Sequence, residues 1–219
     1  MTEQQELTSR VYQGQFGDFT ITPDDAKGVI VYRTGLMVAA LCFGVGATLA
    51  LLSADPATVR WLTPLYLCFY LALGVSLMTI HIYLAILHRV LQLFWVVGGA
   101  AAIWLTLTSA EPMAIAAYKD PIALFCLSFT FAALAGIYFK EAFCFNRLET
   151  KLLTPVVPVL ILGHLLGFLS PYGEKILLAS WAVLFMVFAL RKTFQDIPAD
   201  IGDKSVFAYL KQQRSAKQA

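Results

Sequence analysis

Asp, Glu, Lys and Arg are missing from the middle of every long apolar run in this chain. A charge in lipid is costly and usually marks an ion or proton pathway, so their absence argues against a typical proton-coupled carrier. It leaves room for a pore lined by hydroxyls and carbonyls. There is no Walker loop, dinucleotide fingerprint, H-E-x-x-H run or nucleophile elbow. With paired catalytic groups also missing, an enzyme is the least favoured reading. The four cysteines, Cys42, Cys68, Cys126 and Cys144, include no C-x-x-C pair, and the first three lie in apolar runs. They read as packing residues, with neither a disulfide framework nor a metal site implied. A net charge of +2, with its cations spread over both ends of the apolar runs, argues against a nucleic-acid partner. The N-terminal region is polar and has no short apolar core of the secretory type, so insertion is expected to begin with the first spanning helix.

What the chain does have is apolar length. It is 59% hydrophobic and 14% charged, against roughly 25% charged in ordinary soluble domains. The excess is gathered into six runs, each read as a membrane span. They are Thr34 to Ser53, Trp61 to Leu87, Val90 to Ser109, Ile122 to Phe139, Leu152 to Leu169 and Ile176 to Leu190. The last is short and relies on snorkelling by Lys175 and Arg191 to reach spanning length. The fold class is therefore an all-α polytopic bundle of about six transmembrane helices. Residues 30–192 form the spanning domain, between an N-terminal tail (1–29) and a C-terminal tail (193–219).

Orientation follows from the cations. With the N-terminus inside, thirteen of the sixteen Lys and Arg residues fall on the inner side and only Arg60, Lys119 and Lys175 on the outer. That bias places both termini inside. In the N-terminal tail, Phe16 to Ile21 alternates like a short extended segment. The run TPDD, Thr22 to Asp25, then reads as a helix start, and a short interfacial helix is expected to lead into the first span. In the C-terminal tail, Val206, Phe207 and Leu210 sit at helical spacing. That segment is expected to be a partly ordered, solvated tail, with surface binding or partner docking as the alternatives.

Few residues are candidates for a site. His81 and His88 lie seven apart on the second span, on a face that also holds Tyr70 and Tyr66. Such a stripe first reads as hydrogen bonding between helices. A cofactor site for a quinone or tetrapyrrole is the alternative, although no cofactor is predicted. His164, between Gly163 and Gly167, is expected near mid-bilayer, while His81 lies near the inner interface, which disfavours one haem between them. Pro155 and Pro158 point to a bent or broken entry to the fifth span. The small-residue runs Gly98 to Ala102 and Ala132 to Gly136 mark close helix contacts.

The stretch FKEAFCFNRLETK, Phe139 to Lys151, gathers charge at the expected inner interface. Without Gly or Pro to break it, helix is expected to continue from Ile137 toward Thr154 as an amphipathic elbow. Lys140, Glu141, Cys144, Arg147 and Lys151 are then candidates for docking a partner. Cys144 lies among cations that favour its thiolate, but no base partner is evident.

Three segments, YRTGLMVAALCFGVG, KEAFCFNRLETK and DIPADIGDKS, together resemble an uncharacterised bacterial integral-membrane family seen notably in cyanobacteria. The resemblance covers nearly the whole chain and implies a bacterial plasma membrane or, in a cyanobacterium, a thylakoid. It assigns no functional residue. The first functional expectation is a non-enzymatic membrane factor. It would bind other membrane proteins, or a second copy of itself, in assembly or maintenance of a complex. The alternative is a small transporter or channel using the polar face of the second span and the proline-containing fifth.

Overall fold

A computed structural model describes residues 10–53 and 55–218. Two strands, β1 (Val11–Gly14) and β2 (Gly17–Thr20), form an antiparallel hairpin with Val11 opposite Thr20. The helices follow as α1 (Pro23–Leu52), α2 (Pro56–Val59), α3 (Leu62–Thr79), α4 (Ala85–Thr108) and α5 (Met113–Lys119). Then come α6 (Pro121–Phe145), α7 (Leu148–Leu165), α8 (Pro171–Thr193), α9 (Ile197–Ile201) and α10 (Ser205–Gln218). Six segments among the described residues are long and apolar enough to cross a membrane: α1, Ala57–Thr79, α4, α6, α7 and α8. The chain is thus a polytopic all-α membrane protein.

The six spans close into a ring. Contacts run from α1 to α3, α3 to α4, α4 to α6, α6 to α7, α7 to α8, and α8 back to α1. Its middle is filled by aromatic side chains from opposite sides, with Phe43 of α1 against Phe69, Phe131, Trp181 and Phe185. The small residues lie where helices approach closely, as their sequence pattern implies. A Cβ on Gly98 would overlap the backbone of Thr130, one on Gly136 would overlap Leu91, and one on Gly35 would overlap Ser76.

The element boundaries differ from the sequence reading in five places. First, no separate interfacial helix precedes the first span. The expected cap at Thr22 is there, with Thr22 and Asp25 exchanging backbone and side-chain bonds, but it opens one continuous 30-residue helix. Ala26 and Val29 are buried in its first turns, so the helix has tertiary support before it enters the membrane. Second, the second span ends at Thr79 rather than Leu87, and residues 80–84 form the link to α4. That link is drawn toward the tails: Tyr83 stacks on Phe207 at 4.9 Å and its hydroxyl accepts from the Asp203 N–H. Third, α6 runs into the elbow only as far as Phe145 and does not continue unbroken toward Thr154. Asn146 adopts a left-handed conformation (φ 52°) and α7 starts at Leu148. Asparagine enters that region at little cost, so no glycine is needed for the turn. Fourth, α7 runs through Pro155 and Pro158 without a break. Fifth, α8 covers 23 residues, taking in Pro171 to Lys175 at its start.

The tails join in a cap beneath the ring. Gln15 N–H donates to Asp203 at 2.7 Å, Phe16 N–H donates to Ser205 at 3.0 Å, and Phe16 stacks on Tyr209 at 4.0 Å. Lys204 pairs with Asp25 at 2.6 Å. Ile21, Val29 and Ile201 form a small apolar core of their own. The C-terminal segment, expected as a solvated tail, is helix docked on its own chain.

Candidate functional site

The outer half of the ring encloses a cavity of about 540 Å³ between α1, α6, α7 and α8, with α5 along one side. Ser53, Lys119, Pro171 and Lys175 stand at its mouth, and Phe43, Phe131 and Trp181 form its floor. Trp181 is ten positions beyond Pro171 along α8, so the cavity reaches ~15 Å inward at ~1.5 Å per residue. Phe43 and Trp181 lie 4.5 Å apart between centroids, and Phe131 meets Trp181 edge-on at 5.3 Å. A second cavity of about 220 Å³, almost wholly apolar, adjoins it as a branch between α1 and α3, beside Gly46 and Leu62; the two share Phe43, Ala50, Leu62, Phe131 and Leu178 in their walls.

Polar groups enter the wall at one level. The chain leaves α7 through Gly167 (φ 73°), whose N–H and that of Phe168 bond back to His164 and Gly163 carbonyls. This double closure is a left-handed helix stop that suits glycine. It explains the second glycine of the G-x-x-x-G pattern, which makes a turn and not a helix contact. After the turn, Ser170 caps α8 through the Gly173 N–H, setting Glu174 in the first turn. Glu174 there pairs with His164 Nδ1 at 2.7 Å and accepts from the Tyr118 hydroxyl at 3.3 Å. The Tyr118 and His164 rings are 4.6 Å apart. Burial, and then the Glu174 carboxylate, hold the Tyr118 phenol above its ordinary value, so it stays a donor. His164 therefore sits in the last turn of α7 at the outer end, and not at mid-bilayer. The cause is the early start of α7 at Leu148, which uses up the bilayer thickness before residue 164.

The inner end of the ring is closed by charge. Lys192, near the end of α8, is fully buried. It contacts Glu141 of α6 at 2.6 Å and pairs with Asp200 of α9. Glu141 is equally buried; its other oxygen accepts from the Tyr32 hydroxyl at 3.1 Å and from Lys140 at 2.9 Å. Arg33 of α1 reaches Asp200 from Nε at 2.8 Å and from Nη2 at 2.7 Å. The Lys192 ammonium also lies 4.3 Å from the centre of the Phe145 ring. Glu149 of α7 takes Arg191 at 2.9 Å alongside. Four spans and α9 are thus tied together by ionic contacts in a region where charge can be desolvated only if paired.

The residues singled out from sequence are therefore split among three places. His164 faces the outer cavity, and Tyr66 stands in the wall of its branch. Tyr66 bonds Thr130 at 2.7 Å, and Tyr70 stacks on Trp95 at 4.6 Å, joining α3, α4 and α6. His81 lies in the α3–α4 link, where burial disfavours its charged form. His88 is on α4, not on the second span, and its Nε2 closes the Leu77 carbonyl at 2.6 Å. His81, in the α3–α4 link, and His164, in the last turn of α7, are at opposite ends of the ring. Of the five elbow residues, Lys140 and Glu141 belong to the buried cluster and are withdrawn from any docking surface, Arg147 is half-buried, and Cys144 and Lys151 are exposed. The reason is the Asn146 turn, which folds α7 back against α6. Sequence reading missed Lys192, Asp200, Tyr32, Arg33 and Glu174. For Lys192, Tyr32, Arg33 and Glu174 the one visible signal was position, each being a charged or hydroxyl group at the edge of an apolar run; Asp200, in the C-terminal tail, gave none.

No match was found among curated proteins or among solved structures. Residues 75–209, more than half of the chain and including Phe131 and Trp181 of the cavity floor and its polar wall, match an uncharacterized integral membrane protein family, DUF2301. The chain belongs to this family of integral membrane proteins.

Proposed function

We propose that the protein binds a small amphipathic molecule from the outer side of the membrane and acts as a carrier-type binding protein. The observation that supports this reading is the outer cavity, which is apolar at depth and polar at one level through His164, Glu174 and Tyr118. Its volume is that of a site for a drug-sized ligand, and its few convergent polar groups would fix orientation. A quinone ring, held by His164 and Tyr118, falls within the same class of occupant. The membrane is proposed to be a bacterial plasma membrane or a thylakoid.

The reading is tested by native mass spectrometry on protein extracted in mild detergent. Wild type is expected to retain a bound small molecule. Leu178→Trp, which fills the cavity, is expected to lose that mass and keep its unfolding temperature. An empty wild type, or unchanged occupancy in the variant, would contradict the reading.

A second reading, partner docking, is supported by a different surface. Phe143, in the last turn of α6, and Phe194, just past α8, are 83% and 85% exposed, and Cys144 and Lys151 are exposed as well. Another membrane protein or a second copy of the chain is the occupant this patch suits. Phe143→Ser with Phe194→Ser would then remove a co-purifying partner without changing ligand retention.

A further inference from the structure

We infer that the occupant of the outer cavity is a long-chain amphiphile with an anionic head, a carboxylate or phosphate, lying head outward with its tail in the apolar branch. This rests on the cavity-binding reading above and goes on to name the ligand's class.

The head is decided by unpaired charge. Four titratable side chains other than tyrosine line the cavity: Lys119, His164, Glu174 and Lys175. Lys119 is held by both oxygens of Glu111, at 2.7 and 2.9 Å. Glu174 is held by His164 and by Tyr118. Lys175 is exposed at the mouth, and it is the one charged lining group without an ion pair or hydrogen bond among the described residues. An anionic oxygen there would take a charge-assisted bond from the ammonium. It would stand at the level where a lipid headgroup meets water.

The tail is decided by shape. Below the His164 level the walls are aliphatic and aromatic down to Phe43, Phe131 and Trp181. A depth of ~15 Å suits a chain of about a dozen methylenes at most, on the helix rise used above. A longer chain needs the adjoining branch at Gly46, whose lining is apolar but for Cys42 and Tyr66. A Cβ at Gly46 would meet nothing closer than Leu62 Cδ2 at 3.8 Å, so the branch stays open because this position carries no larger side chain. The splay has a physical origin. At the inner end α1 and α3 are pinched together at Gly35, against Ala72 and Ser76, and they part toward the outer end.

The experiment uses the full chain in nanodiscs of zwitterionic lipid, with palmitate carrying a diazirine at its chain end. Photolysis is expected to label peptides containing Phe43, Gly46 or Leu62. Unlabelled palmitate or lysophosphatidate should compete, and hexadecanol should compete about tenfold less well, as one charge-assisted contact implies. Whichever anion competes better distinguishes a free fatty acid from a phospholipid source. Lys175→Gln should abolish the advantage over hexadecanol. Gly46→Leu should weaken palmitate and leave octanoate unchanged, with Gly46→Ala near wild type as the control for folding. Equal competition by hexadecanol, or no effect of Lys175→Gln, would overturn the anionic head and leave the binding reading standing. Equal weakening of octanoate by Gly46→Leu would overturn the placement of the tail. Labelling confined to the lipid-facing residues Ile103 and Leu107, with every amphiphile, would overturn both.

Discussion

At the scale of single residues, the decisive groups are those that carry charge into a buried place. Lys192 is the clearest, because Glu141 and Asp200 both depend on it. Removing one partner of a buried ion pair costs roughly 3–5 kcal/mol when the other charge is left unpaired, and less here because Glu141 keeps Lys140 and Asp200 keeps Arg33. Lys192→Met is therefore expected to lower the unfolding temperature sharply in detergent. Adding Glu141→Gln should recover part of the loss by removing one of the two carboxylates that lose a cation. A Lys192→Met protein as stable as wild type would show that the cluster is not desolvated. Sequence reading found Lys140 and Glu141 by their place at the inner interface, yet took them for a surface. Burial there comes from ring closure, which brings residues 32, 141, 192 and 200 together from distant parts of the chain, and no local pattern records that.

At the scale of elements, spans were legible and their ends were not. Hydropathy identifies six apolar helices because lipid demands continuous apolar length. It does not say that α3 stops at Thr79, since residues 80–84 are as apolar as a helix. Contacts with the C-terminal segment at Tyr83 and the carbonyl closure by His88 decide that boundary. Asn146 was a readable signal, because a lone asparagine between two helices often takes the left-handed turn. The tail cap has its own pH response. Hydrogen bonds from Gln15 N–H and from Ser205 hold the Asp203 carboxyl below its ordinary value. Its contribution is thus fully present above the ordinary aspartate range and is lost as pH falls through the lowered value. Spin labels at Gln13 and Gln212 are expected to give one narrow distance at pH 6 and a broader distribution once the pH falls below the lowered value. Asp203→Asn should broaden it at pH 6 as well. A distribution that ignores both acid and the substitution would mean that Asp203 does not fasten the hairpin.

At the scale of the whole molecule, the ring is asymmetric along the membrane normal. Ionic contacts and close glycine packing seal the inner end, and the outer end holds a cavity reaching to the aromatic floor. The sequence supplied the orientation through its cations but could not supply the cavity. A cavity is what six helices leave between them, and each span reads as apolar whether it borders lipid or a hollow. Access from one side only is the central claim. The direct measurement is the labelling of Leu178→Cys, in a background with the four native cysteines replaced, by a membrane-impermeant thiol reagent. It is applied to right-side-out and to inside-out vesicles. Leu178 lines both the cavity and its branch. The account predicts labelling in right-side-out vesicles and none in inside-out vesicles. Labelling from the inner side, or from neither, would contradict it.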